Sequence, residues 1–79
     1  MKNDLINIDP EIMSGTPVFA GTRVPIKNLF DYIETGETVE EFLDDFPSVK
    51  KKQATRVLNL ALELILSKEL QHENSTKIS

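Results

Sequence analysis

"TVEEFLDDFPSVKKKQATRVLNLALELIL", residues 38–66, is the stretch on which the fold turns. Thr38-Val39-Glu40-Glu41 has the form of a capping box: the Thr38 hydroxyl accepts from the Glu41 backbone and the Glu41 side chain reaches back. Val39, Phe42, Leu43 and Phe46 then fall at i, i+3, i+4 and i+7, one apolar stripe of a helix. Pro47 ends that helix, and Ser48 is placed to cap the next. The spacing predicts a long helix over about residues 50–70, with Ala54, Val57, Leu58, Ala61 and either Leu64 or Ile65 on its core face. Leu60, Leu62 and Leu66 are apolar too, so only Arg56, Asn59, Glu63 and Ser67 make a polar stripe. A helix apolar nearly all round is buried on more than one side. Two short helices and a small sheet cannot cover it, so part of that surface is expected to meet another chain.

Toward the N-terminus, Ile26, Leu29, Phe30 and Ile33 repeat the helical spacing, and Gly36 stops that helix as the residue after its C-cap. Before it lies "SGTPVFAGTRVPI", residues 14–26, where Pro17-Val18-Phe19 and Thr22-Arg23-Val24 flank Ala20-Gly21. Glycine at the third of four turn positions supplies the positive φ of a tight hairpin. Leu5 to Ile8 is a candidate third strand, and Pro25 ends the extended part. Asp9-Pro10 suits the start of one helical turn through Met13, with Asp9 as N-cap. The reading is mainly α: one three-helix, helix-turn-helix-like domain over residues 1–70 with a small N-terminal β-hairpin or sheet. Residues 1–26 form its extended part and residues 27–70 its helices. Residues 71–79, "QHENSTKIS", lack periodicity and read as a flexible tail.

Seventy-nine residues bury a modest core, and domains of this size often need a staple or a partner. The chain has no cysteine and one histidine, His72, so neither a disulfide nor a His/Cys metal cluster is expected. No cofactor motif is present either: Gly15, Gly21 and Gly36 do not fit a phosphate-cradling loop. Met1 to Asp4 is polar and no apolar run spans a bilayer, which predicts a cytoplasmic protein with no membrane partner. Nothing looks catalytic, and the outward acids of the first two helices read as solvated.

The net charge of −4 is unevenly placed. Seven acids (Asp31, Glu34, Glu37, Glu40, Glu41, Asp44 and Asp45) lie between Asn28 and Val49 with no base among them. Lys50, Lys51, Lys52 and Arg56 then arrive together. Either both surfaces are merely solvated, or each serves a different partner. Two helices joined by Pro47-Ser48-Val49, with one helix before them, give a layout whose last helix enters the DNA major groove by its N-terminus. Lys50, Lys51, Lys52, Gln53 and Arg56 are therefore the candidate DNA contacts, the cations for phosphate and guanine and the glutamine for adenine. About four cations bind phosphate weakly from one copy, and a homodimer would double that footprint.

The segment "SGTPVFAGTRVPIKNLFDYIETGETVEEFLDDFPSV" resembles the core of domain-of-unknown-function family 433. The resemblance rests on the spacing of Gly15, Pro17, Gly21-Thr22-Arg23 and Pro25, then a helix ending in Gly and a second ending at an aromatic-Pro pair, and it runs from about Ile8 to Ala61. It implies a VapB-like antitoxin of a type II toxin-antitoxin pair, encoded beside a PIN-like ribonuclease toxin that it binds and silences. Operon repression through DNA binding is implied for many such antitoxins. The lysines after Phe46-Pro47 depart from the family's pattern, in which a Thr or Ser cap is followed by acids. DNA contact thus rests on this chain's own charge. Candidate partner-interface residues are Leu60, Leu62, Leu66 and Arg23, with Arg23 given no role beyond structure or partner contact. A stand-alone transcription regulator and a plain dimerisation module are the alternatives.

Overall fold

A computed structural model describes residues 3–76, with side chains described for residues 3–67. The element order is β1 (Ile6–Asn7), a short 3₁₀-like turn (Met13–Gly15), β2 (Val18–Phe19), α1 (Ile26–Glu34), α2 (Val39–Asp45) and α3 (Lys51–Thr76). It is the mainly helical fold expected, three helices beside a small antiparallel sheet at the N-terminus.

Local chemistry sets the helix ends. The Thr38 hydroxyl accepts from the Glu41 N–H at 3.1 Å, and a Glu41 carboxylate oxygen accepts from the Thr38 N–H at 2.7 Å, completing the capping box. At the end of α1, Gly36 has φ +88, and the Gly36 and Glu37 N–H groups donate to the carbonyls of Ile33 and Tyr32. That pair of bonds is a Schellman motif, so the glycine is there for its left-handed backbone. Exposed Lys27 pairs with Asp31 one helical turn on, an interaction worth only about 0.3–0.5 kcal/mol.

The extended part keeps the strand expected within Leu5–Ile8 and differs from expectation in the Thr22–Val24 limb. Residues 19–22 form the tight turn, with Gly21 at φ +78 and the Thr22 N–H donating to the Phe19 carbonyl at 3.0 Å. The regular ladder, however, joins β2 to β1, with Ile6 opposite Phe19 and Asn7 opposite Val18. The Thr22-Arg23-Val24 limb is held by the Phe19-to-Val24 bond and by one bridge between Val18 and Pro25. Proline has no N–H to donate, which halts that ladder where it starts. The helical turn expected after Asp9 is also absent. Asp9 caps a simple turn through the Glu11 N–H at 2.9 Å, and Met13 and Ser14 then adopt positive φ, 53 and 56. Left-handed backbone costs about 1–2 kcal/mol at each non-glycine residue.

The core draws on the sheet and all three helices: Leu5, Phe19 of β2, Leu29 of α1, Phe42 of α2, Val49 of the connection, and Ala54 and Val57 of α3. Four of the five aromatic residues form a single cluster around Phe42, whose ring centroid lies 5.9 Å from Phe19, 5.4 Å from Tyr32 and 5.0 Å from Phe46. The stripes of α1 and α2 thus meet as the spacing predicts, except that Ile33 is exposed at the outer end of its stripe.

Three expectations for α3 fail. Ser48 does not cap it; α3 begins at Lys51 after a five-residue connection, residues 46–50, and the Lys50 N–H is accepted by the Gln53 side chain at 2.9 Å. Neither Leu64 nor Ile65 is core: they are 57% and 58% exposed. The periodicity is intact, but the globule ends before it reaches them. Twenty-six residues make a helix about 39 Å long, close to the 41 Å long axis of the whole molecule. The helix also continues through Thr76, beyond the expected end near residue 70, while residues 77–79 of the expected tail lie outside the described residues.

Tyr32 adds a titratable tie between α1 and α2. Its hydroxyl donates to the Asp45 carboxylate, and this bond, then partial burial, then the negative charges of Asp45, Glu37 and Glu41 push its pKa up to about 12. A pKa raised in the folded state stabilises the fold fully below the unfolded value of 10.0, and that stabilisation is lost as pH rises through about 12. The chain has one tyrosine, so its absorbance titration is unambiguous. Tyrosinate formation is expected near pH 12, with stability declining between pH 10 and 12 and less so in Tyr32→Phe. Ionisation near 10 would show that the Asp45 bond is not kept in solution.

Candidate functional site

The exposed half of α3 is the largest uncovered apolar surface among the described residues. Leu60, Leu62, Leu64, Ile65 and Leu66 are 42–58% exposed. Their positions explain why no single neighbour hides them. Ile65 continues the line of Ala54, Leu58 and Ala61, Leu62 and Leu66 lie on one side of that line, and Leu60 and Leu64 lie on the other. Monomeric proteins rarely leave a contiguous patch of this kind, and such patches mark interaction sites. No helix among the described residues is long and apolar enough to cross a membrane.

At the opposite end of the exposed stretch, a cleft of about 510 Å³ separates the N-terminal segment from α3. Asn3, Asp4 and Leu5 form one wall; Arg56, Asn59 and Leu60 are on the other. Leu60 therefore belongs both to the apolar face and to this polar cleft. Arg56 sits one turn beyond Lys52 on α3 and lines the cleft, away from the leading turn.

The basic end is arranged differently from the sequence reading. Lys50, Lys51 and Lys52 are exposed, and no acid lies in the first turn of α3. Cations at a helix N-terminus oppose the macrodipole, each by about 0.3–1 kcal/mol, so this cluster weakens its own helix. Gln53 is not a free reader of bases. Its carbonyl oxygen accepts from Lys50, and its amide donates to the Ala20 carbonyl at 3.0 Å, pinning α3 to the 19–22 turn. Both ends of its amide are thus engaged within the fold. The tether joins residues 33 apart and has no local sequence signal.

Arg23 is exposed beside that turn, in an open groove of about 600 Å³ whose other walls include Val24, Pro25, Phe46 and Ser48. None of Leu60, Leu62 and Leu66, grouped with it as interface candidates, lines that groove. Those candidates thus divide between two surfaces. Among the described residues no three His, Cys, Asp or Glu side chains gather as metal ligands.

The family described as "Protein of unknown function (DUF433)" matches residues 6–61. A curated relative, "Uncharacterized protein y4eO" of Sinorhizobium fredii, is 37% identical over 46 residues, 58% of this chain. The matched part is 21% of that relative's length. The crystal structure of a DUF433 member protein from Anabaena variabilis is similar with a TM-score of 0.66 and 19% identity, over 92% of this chain and 70% of that one. At that identity the likeness speaks for the fold.

Proposed function

This chain belongs to the DUF433 family, and we propose that it works there as the antitoxin of a type II toxin-antitoxin pair, neutralising a PIN-like ribonuclease by binding it in the cytoplasm. It acts by association and catalyses nothing. The observation that carries the reading is the exposed face of α3, where Leu62, Leu64, Ile65 and Leu66 are each more than half exposed. Burying that face against a partner removes apolar area worth about 25 cal/mol per Å². The acids of α1, α2 and the turn between them, Asp31, Glu34, Glu37, Glu40, Glu41 and Asp44, supply the complementary charge that speeds capture of a basic nuclease. Co-expression with the adjoining gene, followed by pull-down and a growth assay, tests this. A stable complex and relief of growth arrest are expected; a nuclease that stays free and toxic refutes it.

A second reading, operon repression, is favoured by the basic end of α3. Three exposed lysines with no acid in the first turn weaken the helix, a local cost that phosphate binding offsets. Two copies joined side by side would double the footprint. Replacing Lys50, Lys51 and Lys52 together by Ala is expected to abolish most DNA affinity while leaving partner capture intact. The salt slope then falls by roughly one unit for each phosphate no longer neutralised. An unchanged slope, read by fluorescence anisotropy, removes DNA from the account.

A further inference from the structure

Of the cations whose side chains are described, Lys27 alone has a carboxylate within ion-pair distance. Lys50 precedes α3, Lys51 and Lys52 open it, Arg56 faces the cleft, and Arg23 stands by itself on the extended part, exposed and with no hydrogen bond or ion pair among the described residues. Its isolation in the sequence is misleading. The Gln53 amide ties the first turn of α3 to Ala20, three residues before Arg23. The groove that holds Arg23 is walled on its far side by Phe46 and Ser48, from the connection that leads into Lys50. The segments that carry Arg23 and the three lysines are therefore joined at one junction, though they lie well apart along the chain.

The backbone that carries Arg23 is also fixed on both sides. The Thr22 hydroxyl donates to the Phe19 carbonyl at 2.8 Å and accepts from the Val24 N–H at 3.0 Å. The Phe19 N–H donates to the Val24 carbonyl at 3.0 Å, closing the loop around residues 20–23. A guanidinium rooted on such a loop loses less freedom on binding than one on a mobile segment. It also presents a planar fork of donors, which suits a phosphate's paired oxygens better than an ammonium does.

We propose that Arg23 is a phosphate contact for duplex DNA, reaching the backbone that flanks the groove entered by the start of α3. The proposal rests on the DNA reading above and extends it to a residue outside the helices. Gly21-Thr22-Arg23 then has one physical purpose: glycine makes the turn, threonine locks it, and arginine projects from it. Gln53 holds the locked turn against the reading helix, so its architectural bond serves the same contact.

The test is fluorescence anisotropy of the full chain on a short mixed-sequence DNA duplex over a range of salt. Wild type, Arg23→Gln, Arg23→Lys and the triple lysine-to-alanine variant are compared, with helicity and partner capture measured on each. Arg23→Gln is expected to make the slope of log affinity against log salt shallower by about 0.9, and Arg23→Lys to restore it, because the slope counts neutralised phosphates. Helicity and partner capture stay unchanged in both, since the exposed Arg23 side chain makes no hydrogen bond or ion pair among the described residues. If Arg23→Gln leaves the slope as it is while the triple variant lowers it, DNA binding stands and the Arg23 contact is overturned. If Arg23→Gln weakens partner capture in place of the slope, the groove belongs to a protein and the proposal falls. A wild type with no salt-dependent binding overturns both readings together.

Discussion

Leu62→Asp combined with Leu66→Asp is expected to abolish partner capture while the domain stays folded. Both leucines are about half exposed, one helical turn apart on the same side of α3. In the free chain the new carboxylates stay in water, and the effect is confined to helix propensity, about 0.5 kcal/mol at each position. In a complex the same carboxylates must be buried without partners, at a cost of several kcal/mol each. A loss of about 4 kcal/mol or more is roughly a thousandfold in affinity. Circular dichroism and a titration against the co-expressed nuclease give the two readouts. An unfolded variant would make these leucines core, and a folded variant that binds normally would move the interface elsewhere.

Phe42→Ala is expected to remove most of the stability of the free domain. Phe42 is fully buried and its ring is the hub that Phe19, Tyr32 and Phe46 share, so truncation leaves a cavity that three other rings line. Such a change costs about 3–5 kcal/mol. A domain of this length holds roughly 4–12 kcal/mol in total. At the lower end nothing remains, and at the upper end the melting temperature falls by at least about 12 °C. A saturating partner should restore part of the stability, because a ligand at about a hundred times its dissociation constant adds about 2.7 kcal/mol. A thermal shift of only a few degrees would mean that the cluster is looser than its geometry.

What could be read in advance was chemistry that acts within a few residues. The Thr38–Glu41 box, the Gly36 stop and the Gly21 turn each depend on a local backbone requirement, and each is where the spacing put it. The strand within Leu5–Ile8 was legible, but that it and not Thr22–Val24 makes the regular ladder with β2 was not, because strands of two residues have no pattern that ranks their partners. Gln53 misled for a related reason: in sequence it sits among lysines, and only the distant Ala20 carbonyl reveals its use. Leu64 and Ile65 show the limit of periodicity itself. Spacing reports which face of a helix is apolar, and it does not report where the rest of the domain stops covering that face. The same excess was the clue to an assembly, so the core position expected at Leu64 or Ile65 lies at the surface and the functional inference stayed. Arg23, grouped with the leucines as an interface candidate, lines a groove that none of them borders.

Central to all of this is that α3 carries more apolar surface than one small domain can hide. Light scattering of the purified chain over a wide concentration range, alone and after co-purification with the adjoining gene's product, measures that excess directly. A particle well above the 8.9 kDa of a single chain is predicted, in both samples at high concentration and at all concentrations with the nuclease. A well-folded 8.9 kDa monomer throughout, with the nuclease eluting separately, would contradict it.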